Sequence, residues 1–146
     1  TKRSYVALVE GKLEKNEGKI TSWLTEDSRT ALVSSSPVDN GGQLAITNYK
    51  VLKESALQTD EADLKTEYSL VELNLETGRT NQIRVHMASM GHPVVGDRKY
   101  GHGNESSPID RLCLHARVLE FIHPMTEKKV RFEAPMPKEF ARIFTQ

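Results

Sequence analysis

The sequence predicts an α+β fold in which a mainly antiparallel mixed sheet is accompanied by few helices. Three observations support this class. Most apolar segments alternate with the two-residue period of a strand. Only residues 80–91 and the stretch after Pro137 follow the period of a helix. Polar stretches rich in glycine, serine or proline separate these segments, as is typical of turns between antiparallel strands. Together these patterns favour packed strands over a helical bundle.

The first half of the sequence predicts four strands. Residues 4–9 (SYVALV) are apolar on both alternating faces, which indicates an internal strand, and Gly11 ends it. The other three strands are expected at residues 19–24, 30–34 and 44–53. Loops are expected at residues 34–42 and, as a hairpin-type connection, at residues 54–63.

The next two elements are a strand and a helix. Residues 65–76 (KTEYSLVELNLE) form the clearest strand, and a one-residue shift in their apolar pattern predicts a bulge. The helix is expected to begin at Thr80. Its apolar face would hold Ile83, Met87 and Met90, and Gly91 stands where a terminating glycine is expected.

The remaining sequence predicts a loop, two strands and a short helix. The loop covers residues 101–110, and the strands cover residues 112–122 and 129–133. The alternation in the first of these strands places four side chains on one face: Leu112, Leu114, Ala116 and Val118. The final helix is amphipathic through Phe140, Ile143 and Phe144.

The composition indicates one domain over residues 1–146. Lysine plus arginine and aspartate plus glutamate both number 20, so a polyanion would have to meet a local basic patch. The single cysteine, Cys113, excludes an internal disulfide and favours a cytoplasmic, reducing compartment. No apolar run approaches a membrane span in length, so no membrane partner is expected.

Positive charge is concentrated in segment 77–101 of this otherwise neutral chain. Arg79 lies at the start of the predicted helix and Arg84 one turn further on, while Arg98 and Lys99 follow the next turn. A helix N-terminus presents unpaired N–H groups and a partial positive charge. The segment therefore predicts an anion-binding site.

Several side chains have more than one interpretation. Arg84 fits either a surface arginine lying over apolar neighbours or a guanidinium facing a carboxylate or phosphate. Tyr5 fits a core residue whose hydroxyl needs a partner, and Asp97 fits a turn residue better than an acid catalyst. The five histidines lack metal-site spacing, and no hydrolase, P-loop or dinucleotide motif is present.

Segment 77–101, TGRTNQIRVHMASMGHPVVGDRKYG, closely resembles the signature of the RluA-type pseudouridine synthases, roughly TGRTHQIRVHLAxxGHPIVGDxxYG. Residues 2–11 are similar to the family's K-x-Y-x-A-x-V-x-G strand, and residues 43–49 to its K-x-A-x-T-x-Y strand, with Gln43 at the lysine position. Residues 114–116 and 132–135 match its closing strands. Asn81 stands where the family usually has histidine. The resemblance covers essentially the whole chain.

The resemblance implies isomerisation of uridine to pseudouridine in structured RNA, ribosomal in preference to transfer RNA. Tyr5 matches the family tyrosine that stacks on the target base and helps to remove the proton from its C5. Arg84 matches the basic residue that pairs with the catalytic aspartate, and Ile83 the apolar residue of the same pocket. RNA binding is expected at Arg79, Thr80, Asn81, Arg98 and Lys99. Neither a metal nor an organic cofactor is implied.

The family's catalytic aspartate lies in an H-R-L-D-x-x-T-S-G segment before the tyrosine strand, and this sequence has no such segment. We therefore expect the C-terminal portion of a pseudouridine synthase catalytic domain, inactive alone. The alternatives are a non-catalytic RNA-binding module that uses the same basic groove and a plain interaction domain. We also expect Arg84 to lack its usual partner, and an exposed sheet edge to permit self-association.

Overall fold

The computed structural model of the protein describes residues 2–58, 65–103, 109 and 111–144. The predicted connections at 54–63 and 101–110 thus fall partly outside the described residues, and the prediction is wrong for residues 54–58, which continue a strand. Within them the chain forms seven strands and two helices: β1 (Lys2–Glu10), β2 (Glu17–Glu26), β3 (Val33–Ser36), β4 (Gln43–Gln58), β5 (Lys65–Leu75), α1 (Gln82–Ser89), β6 (Leu114–Ile122), β7 (Lys129–Glu133) and α2 (Lys138–Arg142).

All seven strands belong to one sheet, in the order β3-β2-β4-β5-β1-β6-β7. Every neighbouring pair is antiparallel. The predicted fold class is therefore confirmed. The prediction that β1 is internal is also confirmed, since it lies between β5 and β6 and its residues 6–9 are fully buried.

The core fills both faces of the central strands. Side chains alternate along β1, so Tyr5, Ala7 and Val9 share one face and Val6 and Leu8 the other. The main apolar cluster joins these strand residues to α1, through Ile83 and Met87, and to α2 and its C-cap, through Phe140 and Ile143. Packing from both sides explains why β1 is apolar throughout its centre.

The start of β3 differs from the predicted strand at residues 30–34. The Asp27 carboxylate accepts hydrogen bonds from the backbone N–H groups of Arg29 and Thr30, at 2.8 and 3.1 Å. Ala31 then adopts a positive φ of 58°. These contacts close a turn between β2 and β3, so strand pairing begins only at Val33.

The predicted bulge in β5 is wrong in its location. The register shifts on β4, where Val51 pairs with Val71 and Lys53 with Leu70, which leaves Leu52 as the extra residue. Residues 68–71 of β5 are instead buried on both faces, and this produces the shift in the apolar pattern of the sequence.

A second register shift, between β1 and β6, shows that the predicted grouping of side chains on one face of β6 is wrong. Tyr5 pairs with Ala116, but the preceding residue Ser4 pairs with Val118, so Arg117 is the extra residue. Residues directly opposite each other share a face of the sheet. Val118 therefore faces the side opposite to Ala116, and the predicted set of four side chains on one face is divided.

Helix α1 ends as the sequence predicts. Gly91 has a φ of 86°, and its N–H donates to the Ala88 carbonyl at 3.0 Å. The next N–H, that of His92, donates to the Met87 carbonyl at 2.9 Å. This pair of bonds is a Schellman motif, which favours glycine at the left-handed position.

The outer strands of the sheet are β3 and β7. Both are short, and β7 has a charged side chain at every second position, Lys129, Arg131 and Glu133. Such charges discourage pairing with another chain. In the part of the chain that the structure describes, no helix is long and apolar enough to cross a bilayer.

Candidate active site

A cleft of about 190 Å³ lies between the middle of the sheet and the first turns of α1. It is lined by Tyr5, Leu75, Arg79, Asn81, Gln82, Ile83, Arg84 and Leu114. The cleft brings together all three residues predicted to be catalytic, Tyr5, Ile83 and Arg84. Its volume equals that of about six waters at ~30 Å³ each, which leaves room for one pyrimidine ring.

Arg84 is paired within this chain, although not with the aspartate of the family's H-R-L-D segment, which the sequence lacks. Its Nε donates to Oδ2 of Asp97 at 2.9 Å, and its Nη2 donates to Oδ1 at 2.8 Å. The Asp97 side chain is fully buried, whereas that of Arg84 is 22% exposed. This bidentate contact fixes the plane of the guanidinium at the edge of the cleft.

Asp97 is also the turn residue that the sequence predicts. Its Oδ1 accepts hydrogen bonds from the backbone N–H groups of Lys99 and Tyr100, both at 3.0 Å. Burial acts to raise the pKa of Asp97, but the hydrogen bonds from Arg84 and from these N–H groups outweigh it and lower the pKa. Asp97 is thus an ionised anchor for Arg84.

The Arg84 guanidinium retains donors for a bound group. Its Nη1 makes only a long contact of 3.4 Å to Oδ1 of Asn81, and its carbon lies 5.2 Å from the centre of the Tyr100 ring. A guanidinium has five N–H donors, of which Asp97 takes two. The hydrogen bond to Asp97 raises the pKa of Arg84, so the guanidinium stays protonated and its other N–H groups remain donors.

Tyr100 joins the start of α1 to the edge of the sheet. Its hydroxyl accepts a hydrogen bond from Nδ2 of Asn81 at 3.2 Å and another from the Val33 N–H at 3.1 Å. Asn81 has a left-handed φ of 55°, a conformation in which asparagine is enriched. Sequence reasoning missed Tyr100 because nothing in its local pattern indicates these distant partners.

A buried histidine holds α1 on the sheet. His86 is fully buried, with Nε2 at 2.8 Å from the Ser22 hydroxyl and Nδ1 at 2.7 Å from the Thr47 hydroxyl. Burial lowers the pKa of His86 to about 4, so the ring is neutral near pH 7. The sequence indicates only that His86 lacks metal-site spacing, and the structure shows that it is a buried structural residue.

Gln82 fixes the turn that leads into α1. Its Nε2 donates to the Ile46 carbonyl and the Thr47 hydroxyl, at 3.0 and 2.9 Å. Its Oε1 accepts hydrogen bonds from the Thr77 hydroxyl at 2.7 Å and the Arg79 N–H at 3.0 Å. The amide is therefore satisfied on both sides, which holds the rim of the cleft in place.

The residues predicted to bind RNA do not all lie in the cleft. Arg79 and Asn81 line it, and the Arg79 Nε donates to the Leu44 carbonyl at 2.9 Å. Thr80, Arg98 and Lys99 are exposed beyond it. The Lys99 amine lies 5.5 Å from the centre of the Tyr100 ring, so it remains close to the α1 side of the cleft.

A larger cavity, of about 510 Å³, opens on the opposite face of the sheet. Its charged lining mixes both signs: Lys2, Arg117, Arg131, Glu72 and Glu133. The described residues of its lining include no aromatic side chain and have little net charge, so we consider it a poorer site for a nucleobase or a phosphate. Among the described residues, no group of three or more His, Cys, Asp or Glu side chains could hold a metal ion.

Comparison with known families gives one matching model. Residues 1–89 match the model of the RNA pseudouridylate synthase family. The match includes Tyr5, Ile83 and Arg84, and it ends at the last residue of α1.

Individual relatives extend the similarity along the chain. The RNA pseudouridine synthase YhcT of Bacillus subtilis is 42% identical over 142 residues, which cover 97% of this chain and 43% of that protein. Ribosomal large subunit pseudouridine synthase D of Zymomonas mobilis is 37% identical, over 97% of this chain and 44% of the relative. The chain thus spans less than half the length of these curated relatives.

Solved structures share the fold. Human RNA pseudouridylate synthase domain containing 1 superposes with a TM-score of 0.76 at 29% identity, covering 93% of this chain and 55% of the human one. A second human protein, RNA pseudouridylate synthase domain containing 4, gives 0.66 at 23% identity and covers 99% of this chain and 61% of its own. At that identity the second likeness concerns the fold alone.

Proposed function

This chain belongs to the RNA pseudouridylate synthase family, as its resemblance to RluA-type members predicted, and on that premise we propose that the whole protein isomerises uridine to pseudouridine in structured RNA. One observation carries the proposal. Tyr5 and Arg84 come from distant parts of the sequence, yet both line one cleft of about 190 Å³. An aromatic ring and a guanidinium facing a space of that size suit a single flipped-out uracil.

Tyr5 serves as the platform for the target base in this proposal. The C5 carbon of a uridine stacked in a helix is out of reach of a side chain, so the nucleotide must leave the stack. An aromatic ring compensates the lost stacking energy for an unstacked base. The Tyr5 hydroxyl is also the group we assign to assist departure of the C5 proton.

Arg84 positions the carboxylate nucleophile in this proposal. A carboxylate beside a uracil ring must stay ionised, and an adjacent guanidinium lowers its pKa. In the reaction the bond from C1′ of the ribose to N1 breaks, C1′ bonds to C5, the C5 proton leaves, and N1 takes up a proton in its place. Since the product is an isomer, the proposal needs no oxidant, reductant or organic cofactor.

The nucleophile itself does not come from the aspartates that the structure describes. Asp97 is occupied by Arg84, and Asp27 binds the backbone of its own turn. Asp39 likewise accepts a hydrogen bond from the Gly41 N–H at 3.0 Å. The other three aspartates lie outside the described residues, and none of the six lies in an H-R-L-D segment. We infer that this chain does not supply the nucleophile and forms no pseudouridine alone.

We propose ribosomal RNA as the substrate class, because a relative that is 37% identical is named as a synthase of the large ribosomal subunit. The exposed Arg98 and Lys99 would hold phosphates outside the cleft, which positions the RNA without selecting its sequence. A cytoplasmic location follows from this substrate and agrees with the single, buried thiol of Cys113.

Release of tritium from C5-labelled uridine RNA tests the proposal. The whole protein is expected to release tritium and form pseudouridine, whereas residues 1–146 alone are expected to release none. If the whole protein binds RNA without releasing tritium, the rival function, a non-catalytic RNA-binding module, replaces the proposed one. Turnover by residues 1–146 alone would contradict the inference about the nucleophile.

We also propose that the chain self-associates through an exposed sheet edge, the uncharged strand β3 rather than β7, since β7 carries Lys129, Arg131 and Glu133. Sedimentation of residues 1–146 at increasing concentration measures this. Introducing lysine at Ser35 is expected to prevent the association, with lysine at Thr126 as the control. A strict monomer at high concentration would contradict the proposal.

A further inference from the structure

Arg3 is a basic side chain near the cleft that no role described above uses. Its Nε is buried, and within the residues that the structure describes it has no hydrogen-bond partner. A buried donor without a partner costs about 1–3 kcal/mol, so such a group is expected to meet an acceptor in the working molecule. The question is which acceptor this site favours.

Gly78 provides the space in which the Arg3 guanidinium lies. A Cβ atom added at Gly78 would overlap Nη1 of Arg3, so a side chain at this position would displace the guanidinium. Arg3 shares the face of β1 that carries Tyr5, because side chains alternate along a strand. The guanidinium therefore lies against the turn that leads to Arg79, on the Tyr5 side of the sheet.

The surroundings of this guanidinium favour an anion from another molecule over an internal carboxylate. Glu76, the acidic residue closest in sequence to Gly78, accepts a hydrogen bond from Nδ2 of Asn48 at 2.8 Å and pairs with Lys19 at 3.0 Å. The neighbouring charge at Arg79 is basic and lines the cleft. Arg79 thus follows Gly78 directly, and the acidic residue closest in sequence is already paired.

We propose that Arg3, lying against Gly78, binds a phosphodiester group of the RNA strand whose base enters the cleft. This inference rests on the proposed function and adds a contact to it. The planar guanidinium matches the oxygens of a phosphate in a bidentate geometry that an ammonium cannot reproduce. Arg79, one residue beyond Gly78, lines the cleft together with Tyr5, so the two arginines would hold the RNA backbone beside the Tyr5 platform.

The salt dependence of RNA affinity, measured on the whole protein, tests the contact. Each phosphate contact to a single strand contributes about 0.7 to the slope of log K against log salt. Arg3→Gln is expected to reduce the slope by that amount and to weaken binding about tenfold. The matched control is Lys2→Gln, which removes the same charge from the adjacent residue on the opposite face and should change neither quantity.

Gly78→Ala provides a second variant that leaves Arg3 in the sequence. The added Cβ displaces the Arg3 guanidinium, which is the mobile end of a flexible side chain, so the fold is expected to survive. Gly78→Ala should lower the slope of log K against log salt as Arg3→Gln does. The double variant should lose no more than either single variant, because both act on one contact.

Three outcomes would overturn the inference. An unchanged slope in Arg3→Gln, together with a lower melting temperature, would assign Arg3 to a carboxylate of the protein. An equal loss of slope in Lys2→Gln would indicate a general effect of charge, and independent losses in the double variant would separate Gly78 from Arg3. Pseudouridine formation is measured in parallel, so failure of the proposed reaction with an intact Arg3 effect leaves the binding contact standing.

Discussion

Replacing Arg84 with alanine is expected to lower the rate of pseudouridine formation by the whole protein by about a hundredfold or more. Removal of one preorganised donor from an active site commonly has an effect of that size. Arg84→Lys is also expected to fail, because an ammonium cannot reproduce the two parallel bonds to Asp97 at 2.9 and 2.8 Å. Single-turnover kinetics with C5-labelled RNA would measure the change.

The same substitution also leaves the fully buried Asp97 carboxylate without its partner. Breaking a buried pair in this way costs about 3–5 kcal/mol, so a loss of activity could reflect unfolding. The double variant Arg84→Met with Asp97→Asn removes both charges and serves as the control. It should recover stability in chemical denaturation and stay inactive. Recovery of activity would show that Arg84 only neutralises Asp97 and does not position the nucleophile.

Acidification from pH 6.5 to pH 4 is expected to reduce the free energy of unfolding by about 3 kcal/mol through His86 alone. Burial lowers the pKa of His86 to about 4 in the folded protein, whereas an unfolded histidine titrates near pH 6.5, and each pKa unit corresponds to about 1.4 kcal/mol. The unfolded state therefore takes up a proton first as the pH falls. The contribution of the neutral His86 to the free energy of unfolding is therefore fully present above pH 6.5 and is lost as the pH falls towards 4.

His86→Gln is the control for this titration. The amide can still bond to Ser22 and Thr47 but takes up no proton, so the variant should be less stable at pH 7 and show a flatter pH profile between 6.5 and 4. Carboxylates with lowered pKa values, such as Asp97, add to the loss in both proteins from about pH 5 downwards, so the difference between the two profiles reports His86. Parallel profiles for the two proteins in urea denaturation would exclude His86 as the cause.

The sequence predicts the elements whose signals are local. The alternation of residues 4–9 places β1 correctly because its side chains are apolar on both faces. Gly91 ends α1 because a left-handed residue is required there. The family signature identifies Tyr5 and Arg84, and the structure places both in one cleft.

The parts that the sequence does not predict depend on distant partners. The partner of Arg84 is Asp97, which the local pattern describes only as a turn residue. Likewise, the extra residue opposite β5 is Leu52, since register belongs to a pair of strands rather than to either alone. Arg3 can lie against Gly78 because glycine has no Cβ, and the two residues are far apart in the sequence. Periodicity carries no information about such contacts.

The central position of β1 has a consequence for how the protein is made. β1 ends at Glu10, but its two neighbours in the sheet end at Leu75 and Ile122. At about 5–20 residues per second, a ribosome needs several seconds to complete the first neighbour and longer to complete the second. During that interval the apolar β1 segment has no native strand to pair with. It is therefore the segment of this chain that we expect a chaperone to bind during synthesis.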